Sequence, residues 1–132
     1  MQYHKILLVD DEPMIRRSMQ KTLVRLGFEV AVAGNCTEGL SAFDAAEDSA
    51  RPFSLALLDL NMPGFDGHPQ DGAGLELLSR LVEKQPGLPV IILTAYDEVT
   101  KAKDAITRGA RDYFVKGRDE GLVDLIDAIL DK

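Results

Sequence analysis

The sequence has few of the features that mark secreted, membrane-spanning or nucleic-acid-binding chains. Cys36 is the single cysteine, so no disulfide can form within the chain, which is typical of a reducing compartment. No apolar run approaches the roughly 18 residues of a membrane span, and the apolar run after Lys5 is too short for a signal-peptide core. The formal net charge is −7, which argues against binding to a nucleic-acid backbone. We therefore expect a cytoplasmic protein that binds neither membranes nor nucleic acid.

Short apolar runs and helical patterns alternate five times along the 132 residues, which predicts one α/β domain over residues 1–132 with a parallel sheet covered on both faces. Glycine and proline mark the ends of the helices: Pro13 opens the first, Gly27 ends it, and Gly109 ends the fourth. Asn35 followed by Glu38 predicts a capping box. The strands are expected at residues 6–9, 29–33, 55–58, 90–93 and 112–115. The buried helical faces are expected to contain Ile15, Met19, Leu23, Leu26, Cys36, Leu40, Phe43, Leu75, Leu78, Val82, Val99, Ala102, Ile106, Leu122, Leu125, Ile126 and Ile129.

Polar residues follow four of the five predicted strands at the point where each strand ends. Asp10 and Asp11 follow the first, Asp59 the third, Thr94 the fourth and Lys116 the fifth. The carboxyl ends of parallel strands meet at one edge of the sheet, where open α/β sheets bind their ligands. One acidic residue after a strand is usually a helix cap or a loop residue, but this explanation weakens when four strands end in reactive groups.

Three carboxylates at one edge repel one another unless a cation lies between them. Two unit charges about 5 Å apart repel by roughly 3 kcal/mol at an effective dielectric constant of about 20. Oxygen ligands favour hard ions such as Mg²⁺, which retains waters and leaves room for a phosphate oxygen. A lysine and a threonine hydroxyl beside them favour a phosphate group. The set predicts a phosphoryl-transfer site with a carboxylate nucleophile, and the absence of a Walker loop argues against a nucleotide ligand.

Four stretches of the chain together resemble the receiver domain of bacterial two-component response regulators, of the kind found in chemotaxis receivers. They are Ile6 to Glu12 (ILLVDDE), Leu57 to Gly64 (LLDLNMPG), Val90 to Ala95 (VIILTA) and Asp112 to Lys116 (DYFVK). The resemblance covers almost the whole chain. It implies a flavodoxin-like (βα)5 fold with the strand order 2-1-3-4-5.

The same resemblance implies a role for each residue at the sheet edge. Asp59 would accept a phosphoryl group, and Asp11, Asp59 and the main-chain carbonyl of Asn61 would bind Mg²⁺. Asp10 would act mainly through metal-bound water. Lys116 would contact the phosphoryl oxygens, while Thr94 and Tyr113 would move as switch residues. Such a protein is a phospho-acceptor switch rather than an enzyme, although it takes part in its own phosphorylation and slow autodephosphorylation.

The implied partners are those of a phosphorelay. The phosphoryl group would come from a phosphohistidine on a histidine kinase or a histidine phosphotransfer protein. The output would pass to a downstream effector domain or protein through the fourth helix, fifth strand and fifth helix, from about Val99 to Leu130, and a phosphorylation-dependent dimer is one form that this output can take. The chain would be either a stand-alone receiver or part of a longer regulator or hybrid kinase.

Two positions depart from the pattern of the family. Residues His68 to Gly74 read as seven extra residues in the loop after the third strand. They are either a tolerated surface insertion or a loop that contacts a partner or gates the site, with His68 as a candidate contact residue. Gly117 replaces the proline that usually follows the lysine, often with a cis bond, so we expect a trans bond or a strained cis bond there, since a cis bond before a non-proline residue costs roughly 3 kcal/mol.

Three other functions remain open at the level of sequence. A small phosphohydrolase could use Asp59 as its nucleophile, but Asn61 is the wrong residue for a second catalytic aspartate. A flavin-binding module has the same topology, but the aspartates would oppose an anionic cofactor. A vestigial site that works without phosphorylation is a third alternative, and the presence of all five key residues disfavours it.

Overall fold

The computed structural model describes residues 4–49, 51–60, 73–95, 98–116 and 119–130, and shows a five-stranded parallel sheet between two layers of helices. The strand order is β2-β1-β3-β4-β5, which confirms the flavodoxin-like expectation. The elements in chain order are β1 (Lys5–Val9), α1 (Pro13–Arg25), β2 (Glu29–Ala33), α2 (Cys36–Glu47), β3 (Leu55–Asp59), α3 (Ala73–Lys84), β4 (Val90–Thr94), α4 (Val99–Thr107), β5 (Asp112–Val115) and α5 (Asp119–Leu130).

The sheet divides the hydrophobic core into two parts. One part joins α1 and α5 to the sheet, with Met19, Leu23, Leu122 and Ile126 at its centre. The other joins α2, α3 and α4 to the opposite face and contains Phe43. Every residue of β3 and β4 is buried, because central strands of a parallel sheet are covered on both faces. The phosphoacceptor candidate therefore lies at the end of one of the most enclosed strands.

Local sequence signals explain where the helices begin and end. Pro13 is the first residue of α1, and Gly27 and Gly109 end α1 and α4 with φ angles of 97° and 115°, which strain any residue with a β-carbon. Asn35 Oδ1 accepts a hydrogen bond from the Glu38 N–H at 2.8 Å. Glu38 Oε1 reaches back to the N–H of Gly34, one residue before the cap, at 3.1 Å.

Several expected core positions were wrong. Leu26 is 49% exposed and Ile106 is 40% exposed. Leu26 follows the last residue of α1, where the helical direction is lost, and Ala105 is the buried neighbour of Ile106 in the last turn of α4. The fully buried residues of α3 include Leu77, Leu78 and Leu81. Leu75 and Val82, which were expected on the buried face, are only partly buried.

The segment from His68 to Gly74 was expected to lie wholly in the loop after the third strand, but α3 already begins at Ala73, so Ala73 and Gly74 are helical. Its interpretation as seven extra residues stays a prediction. The rest of that segment, His68 to residue 72, lies outside the described residues, as do Asn61 and Gly117. In the described part of the chain, no helix is long and apolar enough to cross a membrane.

Candidate functional site

The polar residues that end the strands meet at one edge of the sheet. Val9 pairs with Leu58, Asp59 with Leu93, and Thr94 with Val115. The residues just beyond β1 and β5 therefore lie level with the ends of β3 and β4. Asp10 is fully buried, Asp59 is 3% exposed and Thr94 is 1% exposed. These three are the buried polar residues of the described chain, and the sequence pattern had singled out each of them.

Four carboxylates converge at this edge. One oxygen from each of Asp10, Asp11, Glu12 and Asp59 can be chosen so that all four lie within 4.8 Å of one another. Asp11 and Glu12 reach solvent, whereas Asp10 and Asp59 do not. Such a concentration of negative charge is unfavourable without a cation between the groups.

Lys116 supplies a positive charge to this cluster. Its Nζ atom lies 2.7 Å from Glu12 Oε1, 3.0 Å from Asp59 Oδ2 and 3.1 Å from Asp10 Oδ2. Burial of the side chain disfavours its charge. However, the hydrogen bond to Glu12 and the charges of Asp59 and Asp10 outweigh burial and raise the pKa of Lys116 above its usual value. The lysine therefore remains protonated and balances part of the acidic charge.

The donor set fits a hard divalent cation. Asp10 Oδ2 is buried and accepts no hydrogen bond from the described residues, although the ammonium of Lys116 lies 3.1 Å away. An ammonium at a short distance but without hydrogen-bond alignment attracts the carboxylate electrostatically, yet it leaves the lone pair of the oxygen without a hydrogen bond. A carboxylate oxygen in this condition, beside three others, suits Mg²⁺, which binds through few carboxylates and retains waters.

Thr94 ends β4 and Tyr113 lies within β5, and neither belongs to the carboxylate cluster. Thr94 Oγ1 donates to the carbonyl of Ala95 at 3.2 Å, and the N–H of Lys116 donates to the Thr94 carbonyl at 2.9 Å. Tyr113 is half-buried and packs against the core beneath α2, α3 and α4. A main-chain hydrogen bond thus joins Lys116 to Thr94, while the hydroxyl of Thr94 is bonded to the carbonyl of the next residue, Ala95.

Comparison with known proteins agrees with this geometry. The family model "Response regulator receiver domain" matches residues 6–129. The chain belongs to this family. Receiver domains are phospho-acceptor switches of two-component systems, and they bind Mg²⁺ at an acidic pocket.

Curated relatives of the receiver domain include two regulators of Pseudomonas aeruginosa. FleR is 35% identical over 123 residues and PilR is 37% identical over 122 residues. Each match covers 92% of this chain but 24% of the relative. The chain thus spans about a quarter of the length of these relatives.

Solved receiver structures superimpose over nearly the whole chain. A CheY-like receiver from Methanospirillum hungatei has a TM-score of 0.82 and 30% identity, covering 98% of this chain and 95% of that one. The regulator TrrA of Thermotoga maritima, in complex with Mg²⁺ and BeF, has a TM-score of 0.77 and 32% identity, covering 96% and 99%.

Sequence reasoning missed Glu12 as a member of the receiver site. Glu12 makes the shortest contact to Lys116 and adds a fourth carboxylate. The available signal was the run of three acidic residues from Asp10, because all three lie in the turn that follows β1. Asn61, expected to offer its main-chain carbonyl to the metal, lies outside the described residues, so that prediction stands untested.

Proposed function

We propose that this receiver domain accepts a phosphoryl group on Asp59 from a phosphohistidine of a histidine kinase or a histidine phosphotransfer protein. Asp10, Asp11 and Asp59, with the main-chain carbonyl of Asn61, would hold Mg²⁺, and Lys116 would contact the phosphoryl oxygens. The observation that supports this most strongly is the position of the Asp59 carboxyl group, which ends β3, belongs to the four-carboxylate cluster and lies 3.0 Å from the ammonium of Lys116.

The transfer step needs a nucleophile and compensation of charge. A carboxylate oxygen of Asp59 forms a bond to phosphorus as the phosphorus–nitrogen bond to the donor imidazole breaks, and the bonding pair stays on that nitrogen. The ammonium of Lys116 stabilises the charge on the transferring oxygens. Bound Mg²⁺ would neutralise further charge there, and TrrA, a relative of the same fold, has Mg²⁺ and BeF in its structure.

Access to Asp59 would widen with movement at the rim of the site. Asp59 is 3% exposed, so little of its carboxylate is open to a phosphodonor in the arrangement described above. Lys116 is in direct contact with Asp59 Oδ2 and its own side chain is 12% exposed. A long flexible side chain is able to move outward and then bind the transferred group from its far side.

Phosphorylation would change the output face through Thr94 and Lys116. A phosphoryl group adds charge and three acceptor oxygens. The Thr94 hydroxyl would leave the Ala95 carbonyl to donate to one of them, and Tyr113 would turn inward behind it. Because the Lys116 N–H is bonded to the Thr94 carbonyl at 2.9 Å, both groups would move with the end of β5. The face formed by α4, β5 and α5 would then bind an effector domain or protein, or a second copy of the chain.

In this proposal the whole chain, residues 1–132, acts as one receiver domain in the cytoplasm and does not itself bind nucleic acid. Its net charge of −7 opposes contact with a phosphate backbone. Any contact with DNA would then belong to the effector.

The test is incubation with a small phosphodonor and Mg²⁺, followed by intact-mass measurement. We expect the wild type to gain a single phosphoryl group, and Asp59→Ala to gain none. Asp127→Asn removes an exposed carboxylate of α5 and should behave as the wild type. Labelling of Asp59→Ala to the wild-type extent would contradict the proposal, and continuous turnover of a phosphate ester would favour a phosphohydrolase instead.

A further inference from the structure

Three hydrogen bonds hold Asp10, which lies in the turn between β1 and α1. Its N–H donates to the Ala33 carbonyl at 3.1 Å, and its Oδ1 accepts from the Glu12 N–H at 2.8 Å. Its main-chain carbonyl accepts from Arg16 Nη1 at 2.8 Å. The remaining oxygen, Oδ2, is the buried atom without a hydrogen bond from the described residues. Of these three contacts, the one from Arg16 is the one in which a side chain donates, so substitution of Arg16 can remove it and leave Asp10 itself unchanged.

The guanidinium of Arg16 reaches this carbonyl across the surface of Gly34. An ideal β-carbon on Gly34 would lie 3.0 Å from Arg16 Nη1 and 3.8 Å from Cζ. Gly34 does not have a φ angle in the left-handed region, so backbone conformation does not explain the glycine. Its N–H is tied to Glu38 Oε1 at 3.1 Å, which holds the start of α2 beside the arginine. The lack of a side chain at Gly34 therefore provides the space that Arg16 occupies.

We propose that Arg16 is a positioning residue for the cation site, and that Gly34 provides the clearance it needs. Arg16 bonds a main-chain carbonyl of the acidic turn, not a carboxylate oxygen. It therefore steadies Asp10 and Asp11 while leaving their ligand oxygens available. This inference rests on the proposed function, because it takes the bound cation to be Mg²⁺.

The sign of the effect separates positioning from simple electrostatics. Arg16→Met removes a positive charge near an acidic cluster, and electrostatics alone would then make Mg²⁺ bind more tightly. Positioning predicts the opposite, because a looser turn no longer presents its carboxylates together. Arg17 is an exposed neighbour on α1, so Arg17→Met removes the same charge without the contact to Asp10.

The experiment is calorimetric titration of Mg²⁺ into the wild type and the three variants Arg16→Met, Arg16→Lys and Arg17→Met. We expect Arg16→Met to weaken Mg²⁺ binding by about tenfold, the low end for loss of a group that supports a metal ligand. Arg16→Lys should fall between Arg16→Met and the wild type, and Arg17→Met should bind as tightly as the wild type or slightly more tightly. Binding by Arg16→Met that equals or exceeds that of the wild type would overturn the proposal.

An uncharged pair of variants tests the same idea if Arg16→Met does not fold. Gly34→Ala crowds the arginine, whereas Gly87→Ala places its methyl group in open space. Both gain the same small stabilisation from a less flexible unfolded chain. We expect Gly34→Ala to bind Mg²⁺ about two- to threefold more weakly than Gly87→Ala, as for a partly lost hydrogen bond. Equal binding would refute the role of Gly34.

Hydrogen exchange in the metal-free protein keeps the two proposals distinguishable. The amides of Asp10 and Glu12 should exchange faster in Arg16→Met than in Arg17→Met, because the turn has lost a restraint. Unchanged exchange would refute positioning by Arg16. A wild type that binds no Mg²⁺ would instead refute the metal site of the proposed function.

Discussion

Replacing Asp59 with asparagine should make the metal-free protein more stable. Its carboxylate lies within 4.8 Å of those of Asp10, Asp11 and Glu12. At an effective dielectric constant of about 20, each such pair repels by about 3.5 kcal/mol, or about 10 kcal/mol for the three. The attraction between Asp59 and the ammonium of Lys116, 3.0 Å away, offsets about 5 kcal/mol of this repulsion at the same dielectric constant. Repulsion therefore exceeds attraction.

Solvent reduces this difference because Asp11 and Glu12 lie at the exposed side of the cluster. We expect a net gain of about 1–3 kcal/mol, as exposed pairs are strongly screened. Asparagine keeps the shape of the side chain, and Lys116 keeps its contacts to Asp10 and Glu12, so no buried charge is left unpaired. For a domain of this size the melting temperature should rise by about 4–12 °C.

The assay is thermal unfolding of wild type, Asp59→Asn and Asp127→Asn in a chelator and then in excess Mg²⁺. Mg²⁺ should raise the melting temperature of the wild type and have a smaller effect on Asp59→Asn. The surface variant Asp127→Asn should behave like the wild type in both conditions. A metal-free melting temperature of Asp59→Asn at or below that of the wild type would refute the repulsion argument.

Three further predictions concern Lys116, Gly74 and Cys36. Lys116→Met leaves the carboxylates without their counter-ion and should lower the metal-free stability by about 3 kcal/mol. Adding Mg²⁺ should then raise the melting temperature of Lys116→Met by more than it raises that of the wild type. Equal rises in the two melting temperatures would contradict this prediction. Gly74→Ala should cost about 3 kcal/mol in denaturant unfolding relative to Gly87→Ala, because its β-carbon would clash with the main chain of Asp59. Burial is the main cause that raises the pKa of the Cys36 thiol from 9.0 to about 11, so the unfolded chain loses this proton first. The stability that the protonated thiol provides is intact below pH 9 and lost towards about pH 11, and Cys36→Ala should show a shallower decline in unfolding free energy over that range.

The sequence was sufficient to predict the order of elements and the residues at the sheet edge. Short continuous apolar runs are typical of strands that are covered on both faces of a parallel sheet, and β3 and β4 are buried along their whole length. The polar residues that end those runs must lie together at one edge. Asp10, Asp59 and Thr94 were therefore recognisable from their positions in the chain.

Features that depend on which side chains touch could not be read from periodicity. Helical spacing places Leu26 and Ile106 on an apolar face, but the helices end or turn before that face meets the core. The contact of Glu12 with Lys116 joins residues from opposite ends of the chain. The use of Gly34 as space for Arg16 depends on the distance between helix α1 and the loop that follows β2, and no sequence pattern encodes such a distance.

The close contact of α3 with the end of β3 has a consequence for how this fold accepts new sequence. The Gly74 N–H donates to the Leu60 carbonyl at 3.3 Å, so the two ends of the segment between them already touch. Residues added inside such a closed segment do not alter the spacing of the elements on either side, and doubling its length costs only about 0.6 kcal/mol in closure entropy. This position should therefore tolerate an inserted peptide, such as an epitope or a sensor module, next to the proposed phosphorylation site without disturbing the sheet.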